Sequence, residues 1–284
     1  MKTRTLANVI PSIPASDGAG VQLRRSLGSR QGLRHDPFLM LDEFYSDNLD
    51  DYLAGFPAHP HRGFETVTYM LDGHMRHEDN FGHRGDLGPG DVQWMTAAHG
   101  IIHSEMPQQS KGRMRGFQLW LNLPAAEKMK PADYRDIRAR EIPTVQLAGG
   151  AEVRVIAGTL QNTPGPINGA GPRKTTDPLY LDLHLPSNAA ADLPVTAGHN
   201  AFLYAYEGEV RIGGKLVPHR AAATLSDGDT VQLIAGAKGA RVLLLAGKPL
   251  REPVVQYGPF VMNTHEEIEQ AMADYQSGKL AVAA

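Results

Sequence analysis

The chain has 284 residues, 42% of them hydrophobic, which supplies apolar material for a sizeable core and, by length, for about two domains. Its 28 basic and 31 acidic residues give a formal net charge of −3, which excludes a strongly basic nucleic-acid-binding protein, so no direct nucleic-acid binding is expected. The chain contains no cysteine, which excludes a disulfide framework, a zinc ribbon and a cysteine nucleophile.

The sequence carries no sign of secretion or of membrane insertion. Residues 1–20 contain Lys2 and Arg4 but lack the apolar stretch of a signal peptide. The apolar run at residues 242–247 is far too short to span a bilayer. We therefore expect a soluble, cytoplasmic protein without a membrane partner.

Most apolar segments are short and alternate with polar residues, which is typical of β-strands. Residues 65–71, 91–96 and 116–123 are rich in β-branched or aromatic residues and have glycine or proline near their ends. Residues 126–140 contain a proline and show little periodicity, so we expect irregular structure or one helical turn there.

A weak internal repeat indicates two copies of one β-unit. Residues 65–73 resemble residues 202–208, and each segment ends in glycine. Farther along, residues 89–93 resemble residues 227–232 through a shared Gly-Asp pair. The repeat predicts two all-β halves, each a double-sheet roll or barrel.

The boundary between the halves is expected between Arg140 and Asp177. Residues 159–177 are rich in glycine, proline and asparagine and form either a linker or a long loop. We take the domains as residues 1–145 and 146–284.

A helix is predicted near the C-terminus. Thr264 followed three residues later by Glu267 forms a capping box. Gly278 is a suitable residue to end this helix. Between them lie apolar residues at helical spacing: Ile268, Ala271, Met272 and Tyr275.

The strongest chemical signal is two pairs of metal-ligand residues. His59 and His61 are two residues apart, as are His103 and Glu105, so each pair shares one face of an extended strand. If both segments line one barrel, the four side chains converge on one ion. Three imidazoles and a carboxylate suit Fe, Ni, Cu, Co, Mn or Zn rather than Ca or Mg. Four protein ligands leave one or two coordination positions open.

Glu65 is an alternative to Glu105 as the carboxylate ligand. It lies on the face of His59 and His61 if their strand is unbroken, and spacing alone does not choose between the two glutamates. Arg62 is expected to face outward into a salt bridge. The spacing of the neighbouring histidines specifies no site: His74, His77, His83 and His99.

These residues resemble the two-part cupin motif. Gly55, His59, His61 and Glu65 match its first part, and the second follows as Gly85-x3-Pro89-Gly90 with His103. Longer segments are similar to the pirin family: residues 35–44, 59–69, 90–96, 100–107 and 258–263.

The resemblance implies an all-β bicupin, two tandem cupin-type β-barrels with a short C-terminal helix. In the pirin family the metal lies only in the N-terminal barrel, and Glu105 is preferred over Glu65. The implied ligands are His59, His61, His103 and Glu105, with Fe expected first among the transition metals above. The second barrel retains His199 but no His-x-His pair, so no metal is expected there.

The resemblance also implies a function. Pirin relatives include quercetin 2,3-dioxygenases, which cleave a flavonol with O₂ and release carbon monoxide. Here Glu105 or Glu65 would accept the flavonol proton as the catalytic base. Six residues could supply an apolar lining, with their facing left open: Phe44, Phe56, Val67, Trp94, Met95 and Phe117.

Two other functions are considered. One is a metal- and redox-sensing regulator that binds a protein partner without turnover, as some pirins do. The other is a metal-bearing scaffold with neither activity, because function depends on the site and not on the fold.

Overall fold

The computed structural model describes residues 2–281, which form mainly β-strands and, within that range, one α-helix, α1 (His265–Gln276). The strands are β1 (Leu6–Pro11), β2 (Ile13–Asp17), β3 (Val21–Arg25), β4 (Phe38–Ser46), β5 (Phe56–His61), β6 (Phe64–Asp72), β7 (Met75–Asp79), β8 (Arg84–Leu87), β9 (Val92–Thr96), β10 (Ile101–Pro107), β11 (Met114–Asn122), β12 (Asp133–Ile137), β13 (Thr144–Gln146), β14 (Glu152–Ala157), β15 (Thr159–Leu160), β16 (Thr163–Pro164), β17 (Leu179–Leu185), β18 (Ala190–Pro194), β19 (Asn200–Ile212), β20 (Lys215–Val217), β21 (Ala221–Leu225), β22 (Thr230–Gly247), β23 (Val255–Tyr257) and β24 (Phe260–Met262). Short 3₁₀ turns lie at Leu49–Asp51, Ala125–Glu127, Ala139–Glu141 and Ala148–Gly150.

The chain divides into two units that are not consecutive halves. Among the described residues, one unit contains residues 2–13, 29–37 and 140–249, and the other contains residues 14–28, 38–139 and 250–281. The expected division at residues 1–145 and 146–284 differs at both ends of the chain. Strand β1, at the start of the chain, pairs with β21 of the unit that contains residues 140–249. The C-terminal segment, which includes helix α1, packs with Ile102 of the other unit. Local sequence patterns do not indicate which strands pair when the strands are far apart in the chain.

The unit that contains β5 and β10 has two facing β-layers. One sheet has the strand order β12-β9-β6-β11-β4-β3-β2, and the other has the order β5-β10-β7-β8. A core cluster joins the layers, with Val21 and Phe44 from the first and Met75 and Leu87 from the second. Each sheet has two free ends in the described residues, so this unit is an open β sandwich, which agrees with the double-sheet roll named in the sequence analysis.

The other unit is built on a sheet with the order β1-β21-β19-β22-β17-β14-β13, to which β18 and β20 are attached. Strand β22 is 18 residues long and pairs with β18 in its first half and with β17 in its second. Its core is aliphatic and includes Leu181, Leu203, Val231 and Leu244. This sheet also has free ends in the described residues, so the same open-sandwich description applies.

Most of the predicted elements are confirmed. The three predicted strands correspond to β6, β9 and β11. Helix α1 has the predicted capping box, in which Thr264 Oγ1 accepts from Glu267 N at 3.2 Å and Glu267 Oε2 accepts from Thr264 N at 3.0 Å. Strand β12 was missed within residues 126–140 because it is a short edge strand in which three of the five residues are charged. No helix within residues 2–281 has the length and apolar character needed to cross a membrane.

The second part of the internal repeat was aligned incorrectly. Residues 89–93 lead into β9, which pairs with β6. Residues 227–232 lead into β22, whose first half pairs with β18. The structural counterpart of β9 is β21, which pairs with β19. The two Gly-Asp turns are therefore alike locally but precede different strands of the unit.

The link between β5 and β6 is held by the C-terminal segment. Arg62 is buried rather than outward-facing, and its guanidinium pairs with Asp274 at 2.7 Å. Lys128 Nζ donates to the carbonyl oxygens of Gly63 and Val261 and to Asn122 Oδ1, at 2.6, 2.9 and 2.6 Å. Burial lowers the pKa of Lys128 to about 8, against the opposing charges of Glu252 and Glu267.

The close approach of the C-terminal segment predicts a strong effect of Gly63→Ala. Gly63 has φ +92°, and an added Cβ would overlap the Val261 carbonyl oxygen. Gly82 has a similar φ of +83° with no atom within 4 Å of such a Cβ. Both variants should lose about 1–2 kcal/mol of unfolding free energy, because alanine is strained in the left-handed backbone conformation. We expect Gly63→Ala to lose a further ~1–3 kcal/mol of unfolding free energy in urea, because it also overpacks. Equal losses in both variants would contradict this close packing.

Candidate metal centre

The candidate site lies on β5 and β10, two neighbouring antiparallel strands. Their register places His103 opposite His59 and Ile101 opposite His61. One ring nitrogen from each of His59, His61 and His103 lies within 4.8 Å of the other two. The structure therefore brings together the three histidines that the sequence identified by spacing.

The hydrogen bonds of these rings leave the Nε2 atoms available as ligands. His59 Nδ1 lies 2.8 Å from the Pro57 carbonyl oxygen, so it carries the proton and Nε2 has a free lone pair. His59 Nε2 lies 3.0 Å from His61 Nε2. His103 Nδ1 contacts a fourth histidine, while its buried Nε2 has no hydrogen-bond partner among residues 2–281.

The spacing of the ring nitrogens fits a shared cation. Two lone pairs that face each other at 3.0 Å repel unless a proton or a metal ion lies between them. An ion bound to both nitrogens at about 2.1 Å, with an angle of about 90° between the bonds, would hold them about 3.0 Å apart. Imidazole donors suit transition metals. The residues present therefore fit a divalent transition metal.

Burial favours the metal-binding form of two of these rings. His61 and His103 are 3% and 1% exposed. Desolvation holds the pKa of each well below its ordinary value, and neighbouring histidines add to the shift. Since a metal binds neutral imidazole, these rings need not lose a proton at neutral pH.

Glu105 lies on the same face of β10 as His103, but outside the three-histidine cluster. Gln118 Nε2 donates to its Oε2 at 2.9 Å. The Thr68 hydroxyl lies 2.9 Å from Glu105 Oε1 and 3.0 Å from Gln118 Oε1. One hydroxyl proton serves only one acceptor at a time, so Thr68 can donate to either side chain. The carboxylate is thus held beside the cluster by two side chains of the facing sheet.

Glu65 lies on the wrong face of its strand to join the cluster. The sequence expectation required an unbroken strand through His59, His61 and Glu65. The chain instead bends at Gly63, and β6 belongs to the other sheet. Thr68 faces Glu105, so Glu65, three residues earlier, points to the opposite face of β6. There its carboxylate accepts from Thr96 Oγ1 at 2.6 Å.

The side chains on the inner face differ in part from the expected lining. Two of the expected residues, Phe44 and Met95, lie on the same face of the sheet as Thr68. The opposite face carries three others: Val67, Trp94 and Phe117. Phe56 packs with the core cluster of Phe44. Two rings that the expected set omitted lie against His61: Phe64 at 5.1 Å and Trp120 at 5.4 Å between centroids. Their contact follows from the bend at Gly63.

His77 is the histidine that sequence reasoning missed. It lies on β7 opposite Glu105, is fully buried, and places Nδ1 3.1 Å from His103 Nδ1. Nothing in its spacing from the other histidines indicates this contact, because it depends on the pairing of β7 with β10.

The second unit repeats the strand pairing but not the histidines. Leu193 lies opposite Val231 and Ala191 lies opposite Leu233, in the same relation as the β5–β10 pairs. At the positions of His59, His61 and His103, this unit has Ala191, Leu193 and Leu233, which all belong to its aliphatic core. Such side chains offer no metal ligand.

Comparisons with known proteins agree with this architecture. The Pirin family model matches residues 20–121, and the model of the Pirin C-terminal cupin domain matches residues 180–281. A Pseudomonas aeruginosa protein named "Putative quercetin 2,3-dioxygenase" is 57% identical over 95% of each chain. Human pirin is 44% identical over 93% of this chain and 89% of its own.

A solved structure extends the likeness to the fold. The crystal structure of a quercetin 2,3-dioxygenase from Acinetobacter baumannii has a TM-score of 0.89 and 33% sequence identity, over 98% of both chains. Matches to both domain models, and relatives that align along nearly the full length, show that this chain belongs to the pirin family of bicupins.

Proposed function

We propose that this protein is a metal-dependent dioxygenase that opens a flavonol such as quercetin with O₂. The observation that carries the proposal is the buried cluster of His59, His61 and His103, with Nε2 atoms available for one ion. Glu105 completes the proposed ligand set. Fe is the first candidate, with Ni, Cu, Co, Mn and Zn as alternatives. The likeness to proteins named as quercetin 2,3-dioxygenases supports this reaction.

The bound metal would lower the pKa of a flavonol hydroxyl and couple the electrons of the substrate to O₂. The chain would supply the base. Glu105 Oε1 is freed when the Thr68 hydroxyl turns to Gln118 Oε1, and it can then accept the hydroxyl proton. The side chains of His59, Gln118 and Trp120 keep partial exposure, so substrate would approach from their side.

The half-buried ring of Trp120 offers aromatic surface to a flavonol, and the fully buried ring of Phe64 packs against it. Their centroids are 4.4 Å apart, and both lie against His61. Offset or edge contacts between aromatic rings add about 0.5–1.5 kcal/mol each. Trp120, supported by Phe64, would orient the flavonol with its hydroxyl toward the histidines.

Removal of a histidine ligand should abolish metal retention. We expect wild-type protein to hold about one ion per chain and His103→Ala to hold less than about one tenth, because a site with two histidines loses most of its affinity. His74→Ala is the matched control, since His74 is exposed and lies outside the three-histidine cluster. Elemental analysis of the purified proteins measures the outcome. Undiminished metal in His103→Ala would refute the assigned site.

The dioxygenase activity is tested by adding quercetin and air to anaerobically purified, metal-loaded protein. We expect the flavonol absorbance to disappear, with one O₂ consumed and one carbon monoxide released per flavonol. Chelator-treated protein is the control. A fully loaded protein that leaves quercetin intact would contradict the proposed enzyme. It would shift attention to the regulatory alternative, in which a protein partner binds without turnover.

The two glutamates should differ in effect. Glu105→Gln removes the proposed base and ligand, so we expect kcat to fall at least ~100-fold, within the usual contribution of a general base. Glu65→Gln should keep full metal content, because Glu65 faces away from the cluster. Metal content and kcat are measured together, with thermal unfolding to confirm that both variants fold. A greater metal loss in Glu65→Gln than in Glu105→Gln would overturn the assignment.

A further inference from the structure

His77 has the geometry of a group that acts through a metal ligand. Its ring is fully buried, and its Nδ1 lies 3.1 Å from His103 Nδ1. A contact of this length between two ring nitrogens is a hydrogen bond only if one nitrogen carries a proton and the other does not. The arrangement therefore links the tautomer of His77 to that of His103.

We propose that His77 is a positioning residue that fixes His103 in the tautomer with its proton on Nδ1, which leaves Nε2 free for the metal. The inference rests on the proposed metal centre. His103 Nδ1–H donates to the bare Nδ1 of His77, and His77 then carries its own proton on Nε2. A hydrogen bond of this kind orients the ligand ring and makes its other nitrogen more basic.

The surroundings of His77 restrict this ring to one position. Strand β7 pairs with β10, so His77 lies directly opposite Glu105. The ring of Tyr134 packs against His77 at 5.5 Å between centroids and against His83 at 5.2 Å. His83 is in turn held by Asp79, with Nδ1 2.9 Å from Oδ2. The His77 ring is thus packed by Tyr134 as well as by His103.

The remaining nitrogen of His77 argues against a purely structural role. Buried polar atoms are usually hydrogen-bonded, and a histidine retained only for packing would pair both nitrogens. Within residues 2–281, His77 Nε2 is buried without a hydrogen-bond partner. In the described residues its ring makes one hydrogen-bond contact, which is to His103 Nδ1. An apolar ring would fill the same space without leaving an unpaired polar atom, so the contact to His103 is what the histidine provides.

Zn²⁺ binding to the chelator-treated full chain tests the proposal. We expect His77→Phe to weaken Zn²⁺ binding about 10–100-fold, as is usual when an outer partner of a ligand is lost. His77→Asn should restore binding to within about 3-fold of wild type, because Oδ1 can accept the same proton. His74→Phe is the matched control and should leave binding unchanged, since His74 is exposed and lies outside the three-histidine cluster. Calorimetric titration against a competing chelator gives the affinities.

Nitrogen-15 NMR of the zinc-loaded wild-type protein gives a readout that packing alone would not produce. We expect a protonated Nδ1 and a metal-bound Nε2 on His103, and a bare Nδ1 on His77. A bare Nδ1 on His103 would overturn the proposal without any variant, as would unchanged Zn²⁺ affinity in a folded His77→Phe protein. Failure of wild-type protein to bind one Zn²⁺ per chain would instead refute the metal centre itself.

Discussion

The pairing of β5 with β10 is the constraint on which the proposed centre depends. The register sets His103 opposite His59 and so brings three imidazoles to one point. A slip of one residue would turn every side chain of a strand to the other face. The register is in turn held on the far side of β10, where β7 places His77 opposite Glu105. Sheet pairing, rather than any loop, thus sets the geometry of the cluster.

The end of β5 is fixed by chain that is distant in sequence. Arg62 pairs with Asp274 and also donates to the Leu280 carbonyl oxygen at 3.3 Å. Lys128 ties Gly63 to Val261 through their carbonyl oxygens. These buried cations are satisfied by oxygen atoms on separate segments, which makes their positions interdependent. The C-terminal segment therefore supports the end of the strand that carries the histidine pair.

The sequence predicts the three-histidine cluster better than it predicts the surroundings of the cluster. His59, His61 and His103 follow from the two-residue alternation of a strand, which is a local property. Glu65 was expected on the face of the histidines and lies elsewhere, because the local pattern does not show the bend at Gly63. At that bend the chain passes from one sheet to the other. His77 and Trp120 were missed because their contacts depend on which strands pair. The terminal helix, a local motif with its own capping residues, was predicted correctly.

The incorrect alignment of the repeat has the same origin. Two Gly-Asp turns look alike in sequence, yet one leads into the partner of β6 and the other into the partner of β18. With the register known, the second unit has aliphatic side chains where the first has histidines. The two units share a pattern of pairing, and ligand chemistry distinguishes them.

Anomalous diffraction at the absorption edge of the bound metal, from crystals of the metal-loaded protein, tests the central claim most directly. The proposed centre requires one ion within about 2.0–2.2 Å of the Nε2 atoms of His59, His61 and His103. An ion bound elsewhere, or bound to His103 through Nδ1, would contradict both the ligand set and the role given to His77.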